Sequence, residues 1–368
     1  MPNAPRVHVF LLFGGRSAEH DVSTVSALHV LRALDPSTYD VTPVGITRDG
    51  RWLDLTDAVR ALEPSSVAAL PSPDTTDEAA PSGLPAIIGA AEQGPVVVLP
   101  LLHGPMGEDG TVQGMLELAG VPYVGAGVLA SALCMDKPTA KRVLESEGLP
   151  VVPWVSARRH RAGDELVTLV ESRLGYPVFV KPANLGSSVG VSRASDTDEL
   201  RAAVRTALDY DEYVVVEEAI RGREIEVAVL GNEDPIASVP GEIRPSHDFY
   251  DYEDKYVDSG AGLIVPAELS PSQAKEVAKL AVQAYEALHV DGMGRVDFFF
   301  EEGGRGFLVN EVNTIPGFTP ISMFPRLWAA SGVPYPELVQ RLIELALARH
   351  ATRTGFLTHR PARLRAPE

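Results

Sequence analysis

Arg295 and Asp297, and then Glu311 and Asn313, occupy alternate positions at the edges of two β-branched and aromatic runs, VDFFF just after Arg295 and GFLVNEV just before Asn313, that flank a Glu-Glu-Gly-Gly-Arg turn. Such runs read as the two antiparallel strands of a hairpin. Side chains alternate faces along a strand, so Arg295 shares a face with Asp297, and Glu311 with Asn313. With the right register parity Asp297 lies diagonal to Glu311 at roughly 7 Å, where two carboxylates repel unless a cation sits between them. Mg²⁺ suits that gap, because it takes a few carboxylate or amide oxygens and fills its other positions with water and phosphate. Arg295 adds a phosphate donor, Asn313 a neutral oxygen, and a Gly-Pro loop carrying Gly317 and Ser322 follows at once. The alternative is a solvated acidic strand face in an acidic chain.

Four further segments carry chemistry. KPANLGSSVGV sets Lys181 at a strand end before a Gly/Ser loop whose Ser187 and Ser188 offer hydroxyl and N–H donors to phosphate. It is not a P-loop, in which the Lys follows the glycines and opens a helix; the competing reading is a Gly-rich turn beside an exposed Lys. In EYVVVEEAIRGREIEV, Glu217 and Glu224 fall at a strand end and the next strand start, placed to accept from an adenine amino group and ribose hydroxyls, or simply solvated. FGGRSAEHDVS places Ser17 and Glu19 between a strand and a helix, where a carboxylate binds an ammonium group or complements the helix dipole. The dinucleotide fingerprint is ruled against by its missing third glycine. LHGPMGEDG, with His103, Glu108 and Asp109, is a strand-to-helix loop of the kind where active sites of open sheets collect, although its His is equally well structural. HDFYDYEDKYVDSG holds Tyr250, Tyr252, Lys255 and Tyr256 in a long loop that reads as a lid or as a surface excursion packed by its own aromatics.

The elements that position these groups alternate from residue 7: VHVFLLF as a strand, DVSTVSALHVLRAL as a helix, YDVTPVGIT as a strand, then PVVVLPLLHG and its helix GTVQGMLELAG. That order is an α/β unit with a parallel sheet. Between about Leu55 and Gly94 the chain is rich in Pro, Ala, Ser and Asp with little periodicity, which predicts an extended insertion. Asp136 caps the helix PTAKRVLESEG, with Pro138 in its first turn. The strands PVFVKP, SVGVSRA and EYVVVEEA with the helix DTDELRAAVRTAL make a small α+β domain. A third unit follows: the strand EIEVAVLG, a long loop over 239–260, the capped helix SPSQAKEVAKLAVQAYEALHV, the hairpin, and the helix PYPELVQRLIELALARH. The basic, unpatterned ATRTGFLTHRPARLRAPE predicts a disordered tail.

A chain of 368 residues with 45% hydrophobic and 22% charged content has room for two or three domains and a sizeable core. Its net charge of −18 disfavours a broad nucleic-acid or anionic-membrane surface, so an anionic substrate requires locally gathered lysines and arginines. One cysteine, Cys134, excludes an internal disulfide and fits a reducing cytosol as a small buried thiol. No apolar run reaches the ~20 residues of a membrane span.

Taken in order, GGRSAEHDVS, LHGPMGEDG, MDKPTAK, KPANLGSSVGV, EEAIRGREIEV, FYDYEDKY, GRVDFFF and NEVNTIPGFTPIS resemble the D-alanine:D-alanine ligase family of the ATP-grasp superfamily, over about residues 7 to 350. The resemblance implies a three-domain ATP-grasp architecture of mixed α/β and α+β class. An N-terminal open parallel-sheet domain (1–136), a small central α+β domain (137–221) and a C-terminal α+β catalytic domain (222–350) precede the tail (351–368). It implies ATP between the last two domains, held by Lys137, Lys181, Ser188, Glu217, Glu224 and Lys255, and two Mg²⁺ (or Mn²⁺) ions on Asp297, Glu311 and Asn313. It further implies that Glu19 takes the ammonium of the first D-alanine with a link through Ser187 to Tyr256. Arg295 and the Gly317 N–H would form the oxyanion site, and Ser322 would hold the second D-alanine's carboxylate. The implied product is D-alanyl-D-alanine for peptidoglycan precursors in a bacterial cytoplasm, made by a homodimer. Relatives using D-lactate or D-serine, and a non-catalytic nucleotide-binding protein of the same fold, are the rival expectations; ester-forming relatives replace the lid tyrosine, which Tyr256 retains.

Overall fold

The structure is a computed structural model that describes residues 6–63, 83–244 and 262–357. Strands β1 (Val7–Gly14), β2 (Tyr39–Ile46) and β3 (Val96–Pro100) form the expected parallel sheet in the order β2-β1-β3, with helix α1 (His20–Ala33) as the first crossover. Both faces of β1 are apolar and covered, as a parallel strand requires. Phe10 and Leu12 pack with Ile87, Val112 and Leu116, while Val9, Leu11 and Phe13 join a larger core that includes Trp328, Leu338 and Leu342 from the C-terminal helices. At the end of β1 the chain must turn sharply toward Glu19. Gly14 has φ +88°, and a β-carbon there would stand 2.1 Å from the Ile46 carbonyl oxygen, so no other residue fits.

The 55–94 segment is more ordered at its ends than its composition predicts. Short helices α2 (Leu55–Ala61) and α3 (Leu84–Ala91) bury Ala58, Ala61 and Ile87 against the first sheet, and residues 64–82 lie outside the described part. Helix α4 (Thr111–Ala119) follows β3, and α5 (Val128–Met135), unread in the sequence, brings the buried Cys134 thiol behind the site. Asp136 caps α6 (Lys137–Ser146) through the Thr139 N–H, as expected.

A four-stranded antiparallel sheet follows, ordered β4 (Trp154–Arg158), β7 (Tyr213–Glu218), β5 (Val178–Pro182) and β6 (Ser192–Ala194). Helices α7 (Asp164–Arg173) and α8 (Thr197–Leu208) cover it around a core of Val155, Val180, Leu200 and Val216. The strand read in SVGVSRA begins only at Ser192, because the preceding residues turn. The last sheet runs β11 (Gly262–Ile264), β10 (Gly241–Arg244), β8 (Arg223–Gly231), β12 (Gly292–Glu301) and β13 (Gly306–Asn313), with the short β9 (Ile236–Ala237) beside β8. Helix α9 (Pro271–Ala287) carries the Ser270–Gln273 capping box and packs Val277, Ala281 and Tyr285 on its apolar face. So β10 occupies the start of the segment read as a 239–260 loop, and the Tyr250, Tyr252, Lys255 and Tyr256 positions lie outside the described residues.

After α10 (Met323–Ala330), helix α11 (Tyr335–Thr354) runs four residues into the segment expected to be a disordered tail. Those residues are ordered because Arg349 and Arg353 lie one turn apart. Arg349 donates to the Gly125 and Tyr123 carbonyls, and Arg353 reaches Glu117 at 2.6 Å. Residues 358–368 lie outside the described part. No helix among the described residues is long and apolar enough to cross a membrane.

Candidate active site

The hairpin owes its chemistry to one irregularity. From the turn, Glu301 pairs with Gly306 and the ladder steps regularly to Phe298 opposite Val309; Asp297 then pairs with Glu311, so Asn310 is bulged out. Without the bulge Asp297 would face Asn310, and Glu311 would point to the apolar side with Val296. The expected diagonal placement of Asp297 and Glu311 is therefore corrected: they stand directly opposite, as do Arg295 and Asn313. On the other side Asp297 pairs with Glu226 of β8, which makes a row of three carboxylates across β8, β12 and β13.

Arg295 holds this row together. Its Nε donates to Asp297 Oδ1 at 2.7 Å and its Nη2 to Oδ2 at 2.8 Å, and Nε stands 3.1 Å from Glu226 Oε2. Burial opposes its charge, but Asp297 and Glu226 outweigh that and push its pKa well above the ordinary guanidinium value. Asn313 Nδ2 donates to Asp297 Oδ2 at 2.8 Å, and Lys137 Nζ lies 3.8 Å from Glu311 Oε2.

This face divides two adjoining cavities. The smaller, of about 460 Å³, lies between the central sheet and β8–β12–β13 and is lined by Lys181, Ser188, Glu217, Glu224 and Asp297. The larger, of about 710 Å³, reaches the loops after β1 and β3 and is lined by Glu19, His103, Glu108, Asn313, Gly317 and Ser322. Lys137, Ser187, Arg295 and Glu311 line both.

In the smaller cavity Glu217 bridges two lysines: Oε2 is 2.6 Å from Lys181 Nζ and Oε1 is 2.8 Å from Lys141 Nζ. Burial works against the Glu217 carboxylate, yet Lys141 and Lys181 hold it at about 2. Burial likewise opposes the Lys181 ammonium, and Glu217 and Glu311 raise its pKa regardless. Ser187 and Ser188 sit in the left-handed region, at φ 52° and 57°, a conformation that costs a non-glycine residue about 1 kcal/mol. Ser187 Oγ is buried without a hydrogen-bond partner among the described residues, a donor poised for a ligand.

In the larger cavity Glu19 stands at the N-cap of α1 without a side-chain hydrogen bond to the helix. The Gly/Ser loop comes close to it: a β-carbon on Gly186 would stand 3.4 Å from Glu19 Oε2. Glu108 accepts from the Gly104 N–H at 2.8 Å, and burial, with the nearby Glu19 charge, pushes its pKa up to about 8. Burial lowers the His103 pKa, and its Nδ1 donates to the Ile315 carbonyl at 3.0 Å. Ser322 Oγ lies 2.8 Å from Thr319 Oγ1 at the start of α10.

Among the described residues no three His, Cys, Asp or Glu side chains converge as metal ligands. Two opposed carboxylates and the Asn313 amide nevertheless form a hard-oxygen set that fits Mg²⁺ or Mn²⁺ completed by water and phosphate. The structure thus gathers the described residues implied by the resemblance around two joined cavities, whereas Ser17 and Asp109 line neither: Ser17 Oγ accepts from the Glu19 N–H at 3.1 Å, and Asp109 accepts from the Met106 and Thr111 N–H groups. Two participants escaped the sequence reading. Lys141 is signalled only by its spacing of four from Lys137 on one helix, and Glu226 only by its alternation with Glu224.

Comparison with known proteins points to one family. Residues 8–126 match the family described as D-ala D-ala ligase N-terminus, and residues 143–344 the one described as D-ala D-ala ligase C-terminus. The D-alanine–D-alanine ligase of Kineococcus radiotolerans is 50% identical, covering 95% of this chain and 99% of the relative. That of Geobacillus kaustophilus is 46% identical, covering 94% and 96%. Among solved structures, the VanG D-Ala:D-Ser ligase of Enterococcus faecalis is 34% identical with a TM-score of 0.81, covering 93% of this chain and 100% of that one. The D-alanine-D-alanine ligase of Coxiella burnetii is 36% identical with a TM-score of 0.78, covering 95% and 97%.

Proposed function

From the premise that this chain belongs to the D-alanine–D-alanine ligase family, we propose that the hairpin face of Arg295, Asp297, Glu311 and Asn313 is where it activates a D-alanine with ATP. The chain is an ATP-dependent ligase that joins two D-alanines for cell-wall synthesis, on a three-domain ATP-grasp fold. The observation that carries the site reading is that Arg295 and Glu311 face both cavities, one bearing Lys181 and one bearing Glu19.

The chemistry follows from charge. A carboxylate does not acylate an amine at neutral pH, so the first D-alanine's carboxylate oxygen attacks the γ-phosphorus, the bond to ADP breaks, and an acyl phosphate forms. The second D-alanine's neutral amine then attacks the carbonyl carbon, loses its proton, and phosphate leaves. Lys137, Lys181, Ser188 and the walls at Glu217 and Glu224 hold the nucleotide, with Lys255 joining from outside the described residues. Glu19 takes the ammonium of the first D-alanine, and Ser187, with Tyr256 beyond the described residues, links that subsite to the lid that excludes water. Arg295 and the Gly317 N–H meet the oxyanion, and Ser322 the second carboxylate. Asp297, Glu311 and Asn313 would hold Mg²⁺ or Mn²⁺, which when bound neutralises phosphate charge.

The protein acts in the cytoplasm, where ATP is supplied and the single cysteine stays reduced, with residues 1–136, 137–221 and 222–350 as its domains, and it works as a homodimer. The test is to incubate the protein with ATP, Mg²⁺ and D-alanine, D-lactate or D-serine as acceptor and follow ADP and product mass. D-Alanyl-D-alanine with one ADP each supports the reading; D-alanyl-D-serine as main product would reassign the acceptor.

A further inference from the structure

Lys141 is the most deeply buried lysine near the site, with 2% of its side chain exposed, and nothing in the proposed reaction uses it. It lies one helical turn after Lys137 on α6, behind the wall of the smaller cavity, which it does not line. Its Nζ stands 2.8 Å from Glu217 Oε1 and 3.2 Å from the carbonyl of Asn310, the bulged residue of β13. The other Glu217 oxygen stands 2.6 Å from Lys181, which does line the cavity. An ammonium is not buried without a partner and a purpose, because desolvation is costly even when it is paired.

The count of charges supplies the purpose. Glu217 and Lys181 alone cancel; with Lys141 the trio carries one net positive charge, and only Lys181 can present it to the cavity. We propose that Lys141 is a positioning residue for nucleotide binding: from behind the wall it neutralises Glu217, so that Glu217 does not cancel the Lys181 ammonium that faces the nucleotide. Its contact with the Asn310 carbonyl also ties α6 to the bulge that brings Glu311 round to Asp297. This inference rests on reading the smaller cavity as the nucleotide site.

The experiment is calorimetric titration of the full chain with a non-hydrolysable ATP analogue and Mg²⁺, and separately with adenosine, on wild type and Lys141→Met. The variant removes the net charge and should weaken binding of the analogue about tenfold or more. Adenosine, which carries no phosphate, should bind that variant within about threefold of wild type. A buried ion pair serving only the fold would weaken adenosine and the ATP analogue alike. Thermal melts establish that each variant is folded, and Lys141→Gln replaces Lys141→Met where the latter is not. Wild-type affinity for the analogue in Lys141→Met, or adenosine weakened as much as the analogue, would overturn the assignment. Wild-type protein that binds no nucleotide at all would instead contradict the reading of the cavity beneath it.

Discussion

Arg295 grips Asp297 through two parallel hydrogen bonds, at 2.7 and 2.8 Å, while Asp297 stands directly opposite Glu311 on the next strand. The geometry depends on the planar guanidinium fork, which an ammonium does not reproduce. Arg295→Lys keeps the charge and loses the fork. Turnover should fall by about 10²–10³ with a much smaller change in nucleotide affinity. Steady-state rates beside a nucleotide titration check this, and near-normal turnover would count against an oxyanion role for Arg295.

Glu19 belongs to the larger cavity alone. Glu19→Gln should therefore raise the KM for one D-alanine about tenfold or more, the cost of a charge-assisted contact, and leave ATP binding unchanged. Initial rates over a wide D-alanine range separate the two subsites. Equal weakening of ATP would show that Glu19 supports the structure rather than the ammonium.

Glu217 gives the protein a defined acid sensitivity. Its folded pKa, about 2, lies below the ordinary 4.5, so its stabilisation is present above pH 4.5 and is lost as the pH falls toward 2. The size is about 3 kcal/mol. Denaturant midpoints from pH 6 to 3 should fall more steeply in wild type than in Glu217→Gln, and parallel curves would remove the lysine bridge from the account.

Glu108 has the opposite sign. Its folded pKa of about 8 lies above the unfolded value, so it costs nothing below pH 4.5 and weighs increasingly against folding as the pH rises to 8. Glu108→Gln, which can still accept from the Gly104 N–H, should match wild type at pH 5 and melt higher at pH 8.5. A variant that melts lower at both would mean that the carboxyl is ionised in the folded protein.

Much of this was legible from residue types. The parallel first sheet follows from runs such as VHVFLLF, apolar on both faces, and the α6 and α9 starts from Asp136 and from Ser270 with Gln273. The site was legible as a set of charged residues at strand ends. What was not legible depends on contacts between distant segments. Periodicity alone carries no sign of a bulge at Asn310, so the Asp297–Glu311 pairing was read as a diagonal. Lys141 looks like a surface lysine until Glu217 and Asn310, 76 and 169 residues away along the chain, close over it. The last four residues of α11 read as a tail because Glu117, which Arg353 reaches, lies 236 residues away along the chain.

The central claim is that Asp297, Glu311 and Asn313 hold divalent ions against the triphosphate. Titrating Mn²⁺ by electron paramagnetic resonance, with a non-hydrolysable ATP analogue present, tests it without relying on turnover. Wild type should bind Mn²⁺ beyond what the nucleotide alone takes up, and a folded Glu311→Gln variant should lose that extra binding and with it ADP formation. An identical Mn²⁺ titration in the two proteins would contradict the account.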